Sequence, residues 1–287
     1  MTPIVTVGLD STSEALSAAH WAAQEAESRH ATLRVLHAWV PVPEDPARQA
    51  VEGDRNDWPQ WIVDRARRVI EERYPGLSVM EDLIAEDPAH ALLEAAGESE
   101  LLVLGSRDMA PLASYFLGDI GLHVVARAGC PTVLVRARRD TGPVAQDGDV
   151  VVGLGLHGPY DAVFEFAFEA AARRGVALRA VHGRSLPAPA YTRDGIDPFV
   201  SGEVAKEAQR ELTEALRPWR AKFPGVRTVD RVLMESPASA VVRGAAGGGL
   251  LVVGRRRNRP TWSSPVGHVL SAAVHHAPCP VAVVPHG

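Results

Sequence analysis

The sequence is poor in the features that mark secreted or membrane proteins. It has only two cysteines in 287 residues, too few for a disulfide framework, so a reducing cytoplasm is the expected compartment. No apolar run approaches the roughly 18 residues that a membrane helix needs, and no membrane partner is expected. The first residues, MTPIVTVGLD, contain no basic stretch before the first apolar run. We therefore expect no signal peptide.

Lysine is absent from the first half of the chain, and the two halves differ in charge. Met1–Gln146 has 13 Arg and no Lys against 22 acidic residues, or −9; Asp147–Gly287 has 17 Lys plus Arg against 13 acidic residues, or +4; together they give the formal net charge of −5. Neither half is basic enough for a nucleic-acid partner. The opposite signs are compatible with the halves docking on each other.

The chain contains an internal repeat. VTVGLD (Val5–Asp10) returns as VVVGLG (Val150–Gly155) after 145 residues, and AGCPTVLV (Ala128–Val135) returns as APCPVAVV (Ala277–Val284) after 149 residues. A net insertion of four residues in the second copy, between about 190 and 230, explains the change of offset. We interpret the chain as a tandem duplication with domain 1 at 1–138, a polar linker at 139–148 and domain 2 at 149–287.

Each copy alternates short apolar runs with helical patterns. In the first copy the predicted strands are Ile4–Leu9, Leu33–Ala38, Ser78–Ile84, Leu101–Leu104 and Thr132–Arg136, and the predicted helices are Ser11–Ser28, Trp61–Arg73, Pro88–Ala96 and Asp119–Ala128. Strands that alternate with helices imply parallel crossovers. The pattern predicts an α/β fold of two tandem doubly wound, five-stranded, mainly parallel sheets with helices on both faces. Ligands of such sheets bind beyond the carboxyl ends of the strands.

One stretch of each copy has the pattern of an anion site. LLVLGSRDMAPLASYFLGDI runs from Leu101 to Ile120, and we expect Gly105 to end the strand, a polar loop to follow, and Gly118 to open a helix. LLVVGRRRNRPTWSSPVGHV repeats the pattern with Gly254 and Gly267, again thirteen residues apart. Backbone N–H groups at such a helix start favour negative charge.

With these residues in view, the chain resembles the universal stress protein family in its tandem, actinobacterial-type form. The carriers are VGLD near the start, LLVLGSR, LLVVGRR and the closing HAPCPVAVV. The resemblance implies a Rossmann-like fold of the HUP type and a regulatory role in stress response. It also implies, for ATP-binding members, an aspartate after strand one, then G-x-x-G, nine residues, and G followed by Ser or Thr. Ala38, at the end of the second predicted strand, is also counted among the expected nucleotide-binding residues.

Neither copy carries that motif complete. Domain 1 keeps the positions Asp10, Gly105, Arg107 and Gly118, but has Asp108 for the second glycine and Asp119 for the hydroxyl residue. Domain 2 keeps Gly254, Arg256 and Gly267, but has Gly155 for the aspartate, Arg257 for the glycine and His268 for the hydroxyl residue. Both sites are therefore degenerate forms of the adenine-nucleotide site.

The departures from the motif have opposite effects on phosphate binding in the two domains. Two carboxylates at roughly 4–6 Å from a triphosphate repel it by several kcal/mol unless a metal ion or a proton intervenes. A Mg²⁺ ion that bridges Asp108, Asp119 and a phosphate would restore ATP binding in domain 1, so Mg²⁺ is expected only together with a nucleotide. In domain 2 the arginines suit phosphate, but they also fit a solvated face or pairing with acidic residues of the other half. ATP binding stays open in both domains.

Three classes of function compete. The first is a regulatory nucleotide-binding protein with no turnover or very slow hydrolysis, and the second is a scaffold that binds a protein partner without any nucleotide. The third, an enzyme, is disfavoured because the sequence has no P-loop and no nucleophile elbow. His37 and His182 are expected to be hydrogen-bonded residues at the rim of a site, and Cys130 and Cys279 to be buried apolar groups.

The resemblance also implies partners. In the family the last strands of two domains pair across a two-fold axis, so Thr132–Arg136 and Pro280–Val284 are expected to pair within one chain as a pseudo-dimer. Such pairing would cover two sheet edges. A homodimer of two tandem chains is compatible with this arrangement, and the identity of any further protein partner is open.

Overall fold

The chain divides into two compact units, Met1–Val144 and Ala145–Gly287, called domain 1 and domain 2 below. A computed structural model describes residues 2–41, 57–108, 115–137, 148–156, 158–192, 195–257 and 266–287. The predicted linker, 139–148, lies outside these residues except for Gly148. The predicted pairing of the last strands of the two domains stays a prediction.

Domain 1 is built on one parallel sheet. Its elements are β1 (Ile4–Leu9), α1 (Ser13–Ser28), β2 (Thr32–Ala38), α2 (Asp57–Arg73), β3 (Val79–Ile84), α3 (Pro88–Glu98), β4 (Leu101–Asp108), β5 (Tyr115–Phe116), α4 (Asp119–Arg127) and β6 (Thr132–Ala137). The strands β3-β2-β1-β4-β6 pair in that order, all parallel. The short β5 pairs antiparallel with β4. The strand order reverses between β1 and β4.

Domain 2 repeats this plan. Its elements are β7 (Asp149–Leu154), α5 (Asp161–Arg174), β8 (Leu178–Gly183), a 3-10 turn (Ala188–Ala190), β9 (Tyr191–Thr192), β10 (Gly195–Ile196), α6 (Pro198–Lys222), β11 (Thr228–Leu233), α7 (Pro237–Gly244), β12 (Gly248–Arg256), α8 (His268–His276) and β13 (Val281–His286). The parallel order is β11-β8-β7-β12-β13. The small β9–β10 hairpin and the long α6 lie where the insertion was located. The two doubly wound five-stranded sheets are confirmed.

Helices cover both faces of each sheet. In domain 1, α1 and α2 pack together on one face, and α3 and α4 pack together on the other. Central strands buried on both faces explain the unbroken apolar runs, and Val5, Leu101 and Val133 are fully buried. A row of buried alanines lets α1 lie close to the sheet: Ala15, Ala18, Ala19, Ala22, Ala23 and Ala26. Among the described residues no helix has the length and apolar character needed to cross a membrane.

The predicted end of the fourth strand at Leu104 is wrong. β4 continues through Gly105 to Asp108, because β6 offers parallel partners as far as Ala137. β5 adds antiparallel partners to the last two residues of β4. The same extension occurs in domain 2, where β12 pairs with β13 up to Arg256. The residues expected to form the start of a phosphate loop are therefore strand residues.

Gly105 is required by helix packing. A Cβ added to Gly105 would lie 2.7 Å from the backbone carbon and oxygen of Glu14 and 3.0 Å from the nitrogen of Ala15. These atoms belong to the first turns of α1 and cannot move without moving the helix. Close approach of α1 to β4 thus accounts for this glycine without any ligand.

We therefore expect Gly105→Ala to lower the free energy of unfolding by about 1–3 kcal/mol, as overpacking against backbone does. Gly97→Ala is the matched control, because Gly97 lies in α3 with no atom within 4 Å of the added carbon. That variant should leave stability unchanged or raise it by up to about 1 kcal/mol. Urea unfolding of the two variants checks this, and equal stability of both would contradict the packing argument.

Candidate functional site

A cleft opens at the carboxyl ends of the strands in each domain, where the strand order reverses. The cleft of domain 1 encloses about 560 Å³ and lies beside β1, the end of β2, and the starts of α3 and α4. The cleft of domain 2 encloses about 630 Å³ and lies beside the equivalent elements β7, β8, α7 and α8. Both volumes are in the range of small-molecule sites.

Asp10 lies at the mouth of the first cleft and organises the start of α1. Its Oδ1 accepts a hydrogen bond from the backbone nitrogen of Thr12 at 2.9 Å and a second one from the Thr12 hydroxyl. The same hydroxyl oxygen accepts from the nitrogen of Ala15, which makes Thr12 the N-cap of α1. The predicted nucleoside-binding carboxylate therefore already serves the β1–α1 turn.

The first cleft has acidic character. Among its described lining residues the ionised side chains are Asp10 and Asp119, and no arginine or lysine lines it. Asp119 is the first residue of α4, and Gly118 caps this helix without a side-chain hydrogen bond. The carboxylate thus stands where the helix dipole favours an anion. Of the remaining predicted site residues, Ala38, Gly105 and Gly118 also line this cleft.

Arg107 does not line the cleft. Its Nε lies 3.4 Å from Oε1 of Glu14 on α1, on the side of β4 that Gly105 also faces. The ion pair places the guanidinium beside α1, and the phosphate contact of Arg107 stays a prediction. The backbone of Asp108 ends β4, and its side chain lies outside what the structure describes.

Tyr160 replaces the missing aspartate of domain 2. A Cβ at Gly155 would lie 2.6 Å from the Tyr160 hydroxyl oxygen, so no larger residue fits at position 155 while this ring is in place. Gly158, in the same turn, has φ of +144°, a conformation that favours glycine. The β7–α5 turn therefore presents a phenol hydroxyl where domain 1 presents a carboxylate.

His286 occupies the space beside Gly254. A Cβ at Gly254 would lie 2.7 Å from Nε2 of His286, and the rings of His286 and Tyr160 are 5.1 Å apart at their centroids. The glycine makes room for this imidazole at the end of β13. Gly105 and Gly254 are thus equivalent in sequence but are required by different neighbours.

The second cleft has basic character. Arg255, Arg256 and His268 line it, and no carboxylate is among its described lining residues. Gly267, which also lines it, caps α8 without a side-chain hydrogen bond, so N–H groups of the first helical turn face the cleft region unopposed by a capping side chain. Arg257 is outside the lining set, and its backbone nitrogen donates to the carbonyl oxygen of His286 at 2.8 Å.

Comparison with known proteins assigns the family. The model of the Universal stress protein family matches residues 1–136 and 148–285, one copy for each domain. A universal stress protein of Mycobacterium tuberculosis H37Rv is 30% identical over 97% of this chain and 96% of its own length. The chain belongs to the universal stress protein family. The match to the mycobacterial relative covers both domains of the chain.

Solved structures agree with this fold. A universal stress protein from Archaeoglobus fulgidus has a TM-score of 0.66 at 15% identity and covers 99% of this chain and 98% of its own. A shorter universal stress protein, crystallised in complex with cAMP, covers 45% of this chain and 93% of its own at 23% identity and a TM-score of 0.33. The binding of cAMP is an observation on that protein.

The two rim histidines of this tandem universal stress protein are equivalent. Nδ1 of His37 lies 2.9 Å from the carbonyl oxygen of Leu9, and Nδ1 of His182 lies 2.9 Å from that of Leu154. Since a carbonyl only accepts, Nδ1 carries the proton and donates in both rings. Both side chains are buried. The imidazoles tie the second strand to the first in each sheet, in agreement with the predicted rim role.

Tyr160 and His286 were missed by the sequence reasoning. A signal was present, because the repeat aligns Tyr160 with Ala15 and His286 with Ala137. Two large polar rings in domain 2 thus stand against two small residues in domain 1. Only the folded chain shows that the two rings meet in the cleft.

Burial lowers the pKa of the His286 imidazole, and the nearby charges of Arg256 and Arg255 add to this effect. The pKa in the folded protein is therefore below that of the unfolded chain. Below the unfolded value the unfolded state binds more protons, so stability is lost as the pH falls. Above that value the group contributes no pH dependence.

We expect His286→Gln to flatten the acid side of the stability profile. From pH 7.5 to 5.5 the wild-type protein should lose more stability than the variant, because glutamine does not titrate. Urea midpoints at both pH values measure the difference. His20, whose pKa is also lowered by burial, contributes equally to both proteins and cancels. The same pH response in both proteins would show that His286 is not involved.

Proposed function

We propose that this tandem universal stress protein is a regulatory ligand-binding protein of the cytoplasm, and that domain 2 holds its working site for a phosphate-bearing ligand. The observation that supports this proposal is the basic cleft of domain 2. Arg256, His268 and the α8 N-terminus capped by Gly267 border one cavity. Backbone N–H groups and an arginine fork are the donors that phosphate oxygens prefer.

The surroundings of Arg256 differ from those of the equivalent arginine in domain 1. Its equivalent in domain 1, Arg107, is paired with Glu14. The repeat aligns Glu14 with Pro159, so this carboxylate is missing from domain 2. Arg256 borders the cleft, close to the turn at Gly158. Replacement of this carboxylate by Pro159 is therefore one difference between the surroundings of the two arginines, and Arg256 is the one that borders a cleft.

The ligand class is an adenine nucleotide in the family manner, with weak selectivity for the base. Tyr160 replaces the carboxylate that would contact the nucleoside end, and a neutral hydroxyl gives a weaker contact than an ionised group. Discrimination between ATP and GTP should accordingly be small. Mg²⁺ enters only as the companion of the nucleotide. Hydrolysis is not part of the proposal, because the sequence carries no P-loop and no nucleophile elbow.

A different role is favoured for domain 1. The ionised side chains among the described residues of its cleft are Asp10 and Asp119, which repel a triphosphate. We propose that this domain serves as a scaffold half that binds no ATP by itself. Its contribution would be structural or directed to a protein partner.

Titration calorimetry of the full chain with Mg-ATP tests the proposal. We expect one site per chain, with affinity lowered about 10-fold to 100-fold in Arg256→Ala, since an arginine contact to phosphate is a charged hydrogen bond. Arg107→Ala is the matched control and should leave binding unchanged.

Two results would contradict the assignment. Absence of heat up to millimolar Mg-ATP, together with no nucleotide released on denaturation, would favour a scaffold function for both domains. Loss of binding in Arg107→Ala with retention in Arg256→Ala would move the site to domain 1.

A further inference from the structure

Three side chains at the start of α3 form a cluster that belongs to neither cleft. Glu86, His90 and Glu94 each offer one ligand atom, and these atoms all lie within 4.8 Å of one another. Glu86 is half-buried, while His90 and Glu94 are exposed to solvent. The set combines one imidazole nitrogen with two carboxylates, which are donor types that metal ions use in proteins.

Local structure brings the three together. His90 and Glu94 are one turn apart on α3, so they share a face of the helix. Glu86 approaches from the β3–α3 turn, where its backbone nitrogen donates to the carbonyl oxygen of Ile84 at 3.0 Å. Nδ1 of His90 is hydrogen-bonded to Oε1 of Glu86. Asp87 fixes the helix start by accepting from the backbone nitrogen of His90 at 3.0 Å.

Glu86 is paired with His90, and Glu94 adds a second carboxylate to the cluster. Within the described part of the chain, no arginine or lysine forms an ion pair with Glu86 or Glu94. Two carboxylates that converge at this distance repel each other unless a cation lies between them.

Domain 2 has a cationic side chain at the equivalent place. The repeat places Glu235, Ser239 and Arg243 at the three equivalent positions. Nη2 of Arg243, in the last turn of α7, lies 2.7 Å from Oε2 of Glu235, which precedes the helix. The first carboxylate is thus retained in both domains. In domain 2 the partner of this carboxylate is the side chain of Arg243. At the equivalent positions domain 1 has a second carboxylate, Glu94, and an imidazole, His90.

We propose that Glu86, His90 and Glu94 bind a divalent transition-metal ion, with Zn²⁺ as the best fit. Imidazole nitrogen and carboxylate oxygen are regular Zn²⁺ ligands, and three protein ligands plus water complete a tetrahedral shell. The imidazole distinguishes the site from those of Mg²⁺ and Ca²⁺, which prefer oxygen alone. Pro88 and Leu92 of the same helix line the cleft of domain 1, so the ion would hold the β3–α3 turn at the rim of that cleft.

Zinc titration of the full, tag-free chain tests the proposal by calorimetry in a non-chelating buffer. We expect one site that is weakened roughly 10-fold or more in Glu94→Arg, because loss of a direct ligand costs at least as much as loss of a supporting group. This substitution recreates the Glu235–Arg243 pair of domain 2, and it should therefore fold normally. Glu72→Arg, the same charge change on the exposed face of α2, is the matched control and should bind zinc as the wild type does.

Thermal unfolding gives a second readout. Zinc should raise the melting temperature of the wild type and of Glu72→Arg, but not that of Glu94→Arg or His90→Ala. Absence of zinc binding to the wild type would overturn the proposal. So would binding that survives both Glu94→Arg and His90→Ala, because the ion would then lie at another histidine. None of these results depends on nucleotide binding in either cleft.

Discussion

The reversal of strand order at the centre of each sheet is the constraint on which the rest of this protein depends. Parallel crossovers bring the carboxyl ends of all five strands to one edge of a sheet. Helices that leave β1 and β4 then turn to opposite faces, and a cleft must open between them. The small residues of α1 and Gly105 allow close packing beside this cleft. The cleft is thus a consequence of topology, and its chemistry is set by a few side chains at the strand ends.

The two copies of the fold have different charged residues around their clefts. An arginine occurs at the end of the fourth strand in both domains, but its surroundings differ. Glu14 of α1 forms an ion pair with Arg107, whereas Arg256 borders the cleft of domain 2 near Gly158. The start of the following helix differs in the same sense, since Asp119 stands where His268 stands in domain 2. One cleft is therefore acidic and the other basic, with the same strand order in both sheets.

Exchange of charged partners also occurs away from the clefts. Arg243 of α7 forms an ion pair with Glu235, which precedes that helix, while the equivalent positions in and before α3 carry two carboxylates and an imidazole. A duplicated domain keeps its fold through such changes because the groups lie outside the apolar core, which is untouched. Comparison of equivalent positions in the two copies therefore shows where their charged side chains differ.

The architecture was predictable from the sequence because it depends on local patterns. Apolar runs such as Ile4–Leu9 and the alanine face of α1 indicate strands and helices through neighbouring residues alone. The end of β4 was predicted wrongly, since Gly105 is a turn signal only in the absence of the pairing that β5 and β6 supply. The candidate site was predictable as a location, because residues such as Asp10, Gly118 and Gly267 follow or precede regular elements in the chain.

By itself, therefore, the sequence determined the tandem α/β fold, the family and the edge of each sheet where a ligand would bind. Only the tertiary structure decided which side chains reach that edge. Arg107 pairs with Glu14, 93 residues away in the chain, and Tyr160 meets His286 from the opposite end of its domain. Side-chain direction and long-range pairing depend on packing between distant segments, and no local pattern encodes them. The charged residues near each cleft can be identified from the chain, but the partners of Arg107 and Tyr160 follow from that packing.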